Sequence, residues 1–152
     1  MILISPYAKP LRNGVANHPK NYPHWQEVVS GLNGEEIIQI GAGDEKAISP
    51  KVKMMKNLSF IAIEGLVRQC RIWISIDTFL PHLAHHVGKP GIVLWGQSDP
   101  NIFGYKENIN LLKDRKYLKP NQFLIWEQCE YNADAFVSPQ MVIDAIGNYA
   151  QQ

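Results

Sequence analysis

Short apolar runs recur along the chain at intervals that leave room for a helix between them. The runs MILIS, IIQI, IWISI and GIVLW lack the regular polar alternation of a strand with one exposed face. Such runs are typical of parallel strands that helices cover on both faces of a sheet. The pattern therefore predicts an α/β fold: a single Rossmann-like domain over residues 1–152 with a mainly parallel sheet.

The clearest part of this pattern lies between residues 72 and 95. Strands near 72–76 and 91–95 should be adjacent and parallel, because a helical stretch near 80–87 connects them. Gly88 suits the end of that helix, since glycine readily adopts the left-handed conformation found there. This unit is the centre of the predicted sheet.

Three further stretches have the apolar spacing of a helix with one buried face. HWQEVVSGL is followed by Asn33-Gly34, which end it. FIAIEGLVRQC predicts a helix with Ile61, Leu66 and Val67 turned inward. SPQMVIDAIGNYA predicts a helix capped by Ser138. Its expected apolar stripe consists of Met141, Val142, Ala145, Ile146 and Tyr149.

The remaining stretches are less regular. PKVKMMKNLS fits either a short helix or an irregular crossover, and INLL fits an edge strand. QFLIWEQCEYNADAF has no periodicity that assigns it to a helix or a strand. These segments are the part of the fold that the pattern leaves open.

A long loop rich in Pro, Asn and Gly follows the first strand, with the sequence PYAKPLRNGVANHPKNYP. It carries four basic or titratable side chains: Lys9, Arg12, His18 and Lys20. Loops of this length in a compact domain are uncommon and often functional. The loop is therefore either part of a ligand site or a flap with solvated basic residues.

Composition narrows the classes of partner. The net charge is +1, which predicts no general attraction to nucleic acid or to anionic membranes. No run is long enough to span a bilayer, so we expect no membrane insertion. Cys70 and Cys129 are far apart and form no CxxC pair, which is consistent with a reduced, cytoplasmic protein. An anion site in this chain must depend on local charge.

Asp77 and Thr78 stand where the strand near 72–76 passes into a helix. The unpaired N–H groups and positive dipole end of a first helical turn suit a phosphate. Thr78 can cap this helix or donate to a phosphate oxygen, whereas Phe79 contributes only its backbone N–H. Asp77 can cap the helix or bind sugar hydroxyls.

Two alternative sites fit the same region less well. His82, His85 and His86 could share one helical face, but no Cys or carboxylate cluster accompanies them, so no metal site is expected. A hydrolytic triad of Ser75, Asp77 and His82 is disfavoured because Ser75 should point to the other side of its strand. The sequence also lacks a nucleophile elbow.

The turn GAGDE follows the strand IIQI. It is not a GxGxxG fingerprint, and it lacks the lysine of a phosphate-binding loop. Its two acids, Asp44 and Glu45, can bind ribose hydroxyls or serve only to form the turn.

Taken together, these segments resemble family 9 glycosyltransferases, the ADP-heptose:lipopolysaccharide heptosyltransferases. DTFLPHLAHHVGKPGIVLWGQSDP is similar to the family signature Asp-Thr/Ser-Gly-x-x-His-x-Ala, Gly-Lys-Pro and Phe-Gly-x-x-x-Pro. KNYPHWQEVVSGL resembles its Lys-x-Trp-Pro segment, and VSPQMVIDAIGNYA resembles its closing Pro-x-x-Val helix. The likeness runs over most of the chain in the family's order. It covers only the C-terminal, donor-binding half of a GT-B enzyme.

The resemblance implies that this domain binds a nucleotide diphosphate-sugar without a metal or another cofactor. Lys20 would meet the diphosphate, with Lys9 adding positive charge from the same loop. Asp77, Thr78 and the Phe79 amide would hold the junction between phosphate and sugar.

The same resemblance implies roles for three more residues. His82 would lie beside Asp77 as the second catalytic residue, and Asp44 or Glu45 would lie near the ribose. Phe79 departs from the family, which has glycine there, so the backbone is less able to approach a ligand closely.

The family's N-terminal half, with its acceptor site and proposed base, has no counterpart in these residues. A homodimer or a partner subunit could supply it. The alternatives to a transferase are a non-catalytic nucleotide-binding module, or an interaction domain that has lost its ligand.

Overall fold

A computed structural model describes residues 1–149 as one sheet with helices on both faces. The sheet has six strands, all parallel, in the order β3-β2-β1-β4-β5-β6. The strands are β1 (Ile2–Ser5), β2 (Ile37–Gly41), β3 (Lys53–Lys56), β4 (Ile72–Ile76), β5 (Ile92–Trp95) and β6 (Ile109–Leu112). The predicted α/β fold is confirmed, including the parallel pairing of β4 with β5 through Ile74 and Ile92.

Within residues 1–149, five α-helices connect and cover these strands. They are α1 (Trp25–Ser30), α2 (Phe60–Gln69), α3 (Phe79–His86), α4 (Pro100–Phe103) and α5 (Pro139–Tyr149). Short 3-10 turns lie at Arg115–Tyr117, Trp126–Gln128 and Ala133–Ala135. Ser138 begins α5 as predicted, because its Oγ accepts a hydrogen bond from the Met141 N–H at 3.3 Å. Gly88, with φ of 73°, follows α3 in the left-handed conformation.

The sheet separates two apolar layers. Ile2 and Ile4 of β1 face α1 and α5, whereas Leu3 faces α2 and α3. Trp73 of β4 is fully buried on the side of α2 and α3, and its indole N–H donates to the Lys89 carbonyl at 2.9 Å. Burial on both faces explains why the strand sequences are continuously apolar.

Three predictions from the pattern were wrong in detail. The ambiguous stretch PKVKMMKNLS contains an edge strand, β3, in which two methionines stand between exposed lysines. Ile61 is 84% exposed, because Ile63 and Val67 form the inward face of α2. Met141 is 51% exposed, while Val142 and Ile146 are the buried residues of α5. Apolar residues at a helix boundary or a sheet edge need not be buried.

Substitution of Gly65 tests the geometry of α2. A Cβ at Gly65 meets no atom within 4 Å, so Gly65→Ala should stabilise the domain by about 0.5–1 kcal/mol through helix propensity. Gly96→Ala should instead destabilise the domain, because the added Cβ would lie 2.6 Å from the buried Phe136 ring. Urea denaturation of both variants measures this contrast. Destabilisation by Gly65→Ala would contradict the open space around this glycine.

The topology fixes where a ligand can bind. The chain proceeds from β1 to β2 and β3 on one side of the sheet, and then to β4, β5 and β6 on the other. In such sheets the crevice outside the carboxyl ends of the strands, at the point where the order reverses, is the usual ligand site. Here that point lies between β1 and β4. No helix among the described residues has the length and apolar character needed to cross a membrane.

Candidate functional site

A cavity of about 500 Å³ opens at the carboxyl ends of β1, β2, β3 and β4. Its apolar lining includes Ile40, Leu58, Phe60, Ile63 and Phe79. Its polar lining consists of Ser5, Tyr7, Lys9, His18, Lys20, Glu45, Asn57, Asp77 and Thr78. We call this cavity the strand-end pocket. It contains six of the eight side chains that the sequence indicated, all except Asp44 and His82.

A salt bridge in the strand-end pocket joins Lys20 to Asp77. The Lys20 Nζ lies 3.1 Å from Asp77 Oδ2, with side-chain exposures of 21% and 12%. Lys20 comes from the long loop after β1, and Asp77 follows β4. Asp77 is therefore not the cap of α3, and the loop is folded onto the sheet edge rather than forming a detached flap.

Thr78 occupies the N-cap position of α3, but its side chain makes no capping hydrogen bond. Its Oγ1 lies 3.3 Å from the Oγ of the buried Ser75. The first-turn N–H groups of α3 therefore have no side-chain acceptor from Thr78, and Pro81 has no N–H to satisfy. This helix start, with its positive dipole end, faces the strand-end pocket.

Phe79 begins α3 and has no positive φ, so a side chain fits here without backbone strain. Its ring is 39% exposed and packs edge-on against Phe60, with ring centroids 5.7 Å apart. Phe60 is 68% exposed. The two rings form an aromatic wall at the mouth of the strand-end pocket.

The turn after β2 brings one of its two acids into the strand-end pocket. Glu45 Oε2 accepts a hydrogen bond from the Ala42 N–H at 3.0 Å, and burial raises the pKa of this carboxyl group. Asp44 is exposed and does not line the strand-end pocket. Asn57 holds the turn from the other side, since its Oδ1 accepts from the Gly43 N–H at 3.2 Å.

His82 lies outside the strand-end pocket, contrary to the sequence interpretation. Leu80 and Ala84 form the buried face of α3, so His82 projects outward between them. Its Nδ1 lies 2.7 Å from the Tyr105 hydroxyl, and its ring packs edge-on against the Tyr105 ring. Neighbouring His85 stacks on the same ring and contacts Glu107. These histidines join α3 to the segment before β6.

His18 also lines the pocket, although the sequence pattern assigned it no role in the site. It is 7% exposed, and its Nδ1 accepts a hydrogen bond from the Lys20 N–H at 3.1 Å. Burial and the nearby charge of Lys20 lower the pKa of His18 to about 4. The imidazole is thus neutral near pH 7, with its proton on Nε2. Only its place in the basic loop pointed to it beforehand.

The segment QFLIWEQCEYNADAF supplies the support behind these residues. Trp126 lies in a 3-10 turn, and its ring centroid is 5.3 Å from the His18 ring. Lys20 Nζ lies 5.3 Å and Lys119 Nζ lies 4.0 Å from the Trp126 ring centroid. Cations near an aromatic face are attracted by its quadrupole. No periodicity in this segment could have indicated that role.

Burial of His18 should make stability depend on pH. The neutral form is favoured in the folded state, so the unfolded chain binds more protons between about pH 6.5 and 4. As the pH decreases from about 6.5 to 4, the free energy of unfolding should therefore fall by on the order of 1–3 kcal/mol. Below that window the contribution of His18 should no longer change. Urea denaturation against pH measures this. His18→Asn should flatten this part of the profile, and an unchanged profile would contradict the burial of His18.

Known proteins of similar sequence and similar fold agree with the architecture described above. No protein-family model matches the chain. Lipopolysaccharide heptosyltransferase 1 of Salmonella typhimurium is 28% identical over 112 residues, which are 65% of this chain and 35% of that protein. The glycosyl transferase family 9 structure from Veillonella parvula superposes with a TM-score of 0.70 at 16% identity, covering 99% of this chain and 46% of that one. The domain is heptosyltransferase-like.

A further solved structure extends this likeness. The heptosyltransferase TibC, in complex with ADP-D-beta-D-heptose, gives a TM-score of 0.68 at 16% identity, with 99% of this chain and 45% of that chain covered. The family 9 resemblance seen in the sequence is confirmed. The heptosyltransferase-like domain spans less than half the length of the relatives it matches.

Proposed function

We propose that the strand-end pocket binds a nucleotide diphosphate-sugar of the ADP-heptose type. The observation that carries the proposal is the position of Lys20 in the pocket, in contact with Asp77 just before the start of α3. A diphosphate needs local positive charge, and the ammonium of Lys20 and the first-turn N–H groups both provide it. Lys9 adds a second cation from the same loop.

The apolar lining of the pocket suits the nucleobase. Leu58, Ile63 and the aromatic wall of Phe60 and Phe79 present an apolar surface of the kind on which a base can pack. Glu45 also lines the pocket and can accept hydrogen bonds from ribose hydroxyls. In the proposed orientation the base packs on the apolar surface, the ribose lies at Glu45 and the phosphates lie at Lys20. The proposal leaves out Asp44 and His82, whose side chains lie elsewhere.

The proposed reaction is glycosyl transfer with a nucleoside diphosphate as leaving group. Lys20 and the N–H groups of α3 would stabilise the charge that develops on the departing phosphate. Thr78 would donate its hydroxyl to the same phosphate. Asp77 orients Lys20 through their ion pair and would accept a hydrogen bond from the sugar.

Transfer also requires an acceptor and a group that removes its proton. We propose that a second chain, or a second copy of this one, faces the strand-end pocket and contributes both. A general base typically contributes 10²–10⁴-fold to such a step. Cys70 and Cys129 are free thiols, which agrees with the proposed cytoplasmic setting.

Thermal denaturation with ADP, AMP and ADP-heptose tests the binding proposal. A ligand at 100 times its Kd stabilises the folded state by about 2.7 kcal/mol, and we expect stabilisation by ADP and ADP-heptose at concentrations where AMP has little effect. Equal effects of ADP and AMP would contradict a diphosphate site. Release of ADP from ADP-heptose, followed with and without a candidate partner, separates a transferase from a non-catalytic nucleotide-binding module.

A further inference from the structure

A second cavity, of about 400 Å³, lies beside the strand-end pocket. Its walls come from two distant parts of the sequence: the loop with Lys9 and Arg12, and the segment with Ile125, Trp126 and Glu127. The Arg12 backbone N–H donates to Glu127 Oε1 at 3.2 Å, which joins these two parts. We call this cavity the loop pocket.

The two cavities meet at Lys9 and His18, which line both of them. His18 is more than nine-tenths buried, and its Nδ1 already accepts from the Lys20 N–H. Among residues 1–149, no side chain or backbone group accepts a hydrogen bond from its Nε2. Because His18 borders both cavities, this N–H is accessible and can donate to a ligand oxygen at the junction.

The loop pocket has the chemistry of a site for a polyhydroxylated ring. Arg12 and Lys9 are donors, Glu127 is an acceptor, and Ile125 and Trp126 add apolar surface. A hydroxyl group can donate to a carboxylate and accept from a cation, so a sugar satisfies both kinds of group. Hydrogen bonds from its own backbone N–H and from the Arg12 N–H hold the pKa of Glu127 below its usual range, which keeps it an acceptor.

We infer that the loop pocket is the subsite for the glycosyl unit carried beyond the diphosphate, and that the His18 Nε2–H donates to an oxygen of that unit. The inference rests on the proposed function, because it takes the phosphates to lie at Lys20 in the strand-end pocket. From there a ligand passes His18 and Lys9 to enter the loop pocket. Arg12 and Glu127 then contact the sugar and not the nucleotide.

Isothermal titration calorimetry with ADP and ADP-heptose tests the inference. The wild-type protein should bind ADP-heptose more tightly than ADP. Glu127→Gln keeps the acceptor for the Arg12 N–H but removes the charge, and it should weaken ADP-heptose about tenfold while changing the Kd of ADP by less than twofold. Glu36→Gln, at an exposed position outside both pockets, removes the same charge by the same substitution and should change neither Kd.

Two substitutions of His18 distinguish its two roles: accepting a hydrogen bond from the loop through Nδ1 and donating one to the ligand through Nε2. Asn can replace the Nδ1 acceptor but not the Nε2 donor, so His18→Asn should weaken ADP-heptose about tenfold. His18→Gln can place an amide N–H near the position of Nε2 and should recover part of that loss. Equal losses for ADP and ADP-heptose in Glu127→Gln, or no loss in it, would overturn the inference. Failure of the wild-type protein to bind ADP would instead overturn the proposed function.

Discussion

Lys20→Ala is expected to raise the Kd of ADP by about ten- to a hundredfold. The substitution removes a charge-assisted hydrogen bond to the phosphates, which is worth roughly 1.5–3 kcal/mol. It also leaves Asp77, only 12% exposed, as an unpaired carboxylate beside the phosphate position. Both effects weaken the binding of a dianionic or trianionic ligand. Calorimetric titration with ADP measures the change.

The role of Asp77 gives this prediction an internal control. In Lys20→Ala/Asp77→Asn the repulsive carboxylate is also absent, so the double variant should bind ADP better than Lys20→Ala alone. Asp77→Asn alone should weaken ADP-heptose more than ADP, because its proposed partner is the sugar. An unaltered Kd for ADP in Lys20→Ala would remove the phosphates from this part of the pocket.

Trp73→Ala is expected to lower the free energy of unfolding by about 3–5 kcal/mol. The indole is fully buried between the sheet and the helices α2 and α3, and its Nε1–H satisfies the Lys89 carbonyl. Gly91 has no room for a Cβ because the Trp73 ring lies 2.2 Å from that position. Deletion of the ring therefore leaves a large cavity and a carbonyl group without its donor. Guanidinium denaturation followed by circular dichroism measures the loss.

Phe123→Ala is the matched control for loss of an aromatic ring. Phe123 is 77% exposed, so its removal should change stability by less than about 0.5 kcal/mol. Similar losses in Trp73→Ala and Phe123→Ala would contradict the packing described for β4.

The strands of this fold could be predicted because burial on both faces leaves a direct trace in the sequence. Ile72 to Ile76 are apolar or small at every position, and Gly88 marks where the following helix ends. The sequence of β3 has no such apolar run, because Lys53 and Lys56 of this edge strand are exposed. In the sequence alone, this stretch therefore resembles an irregular crossover. Its assignment depends on pairing with β2, which is a long-range property of the folded chain.

The part of the site that lies at the ends of strands could also be predicted from the sequence. Asp77 and Thr78 lie in the strand-end pocket because they stand directly after β4. The contact of Lys20 with Asp77 joins residues far apart in the sequence and was not predicted, although family resemblance assigned both residues to the same ligand. Trp126 and His18 could not be paired beforehand, because no local pattern determines how the segment after β6 folds back onto the loop after β1.

The central claim is that a nucleoside diphosphate binds in the strand-end pocket. Backbone amide chemical-shift mapping of ¹⁵N-labelled protein during an ADP titration tests both binding and location. We predict saturable shifts that are largest at Lys20, at the turn 41–45 and at Asp77 to Phe79, with little change along β6. Absence of saturable shifts, or shifts concentrated near β6 instead, would contradict the account.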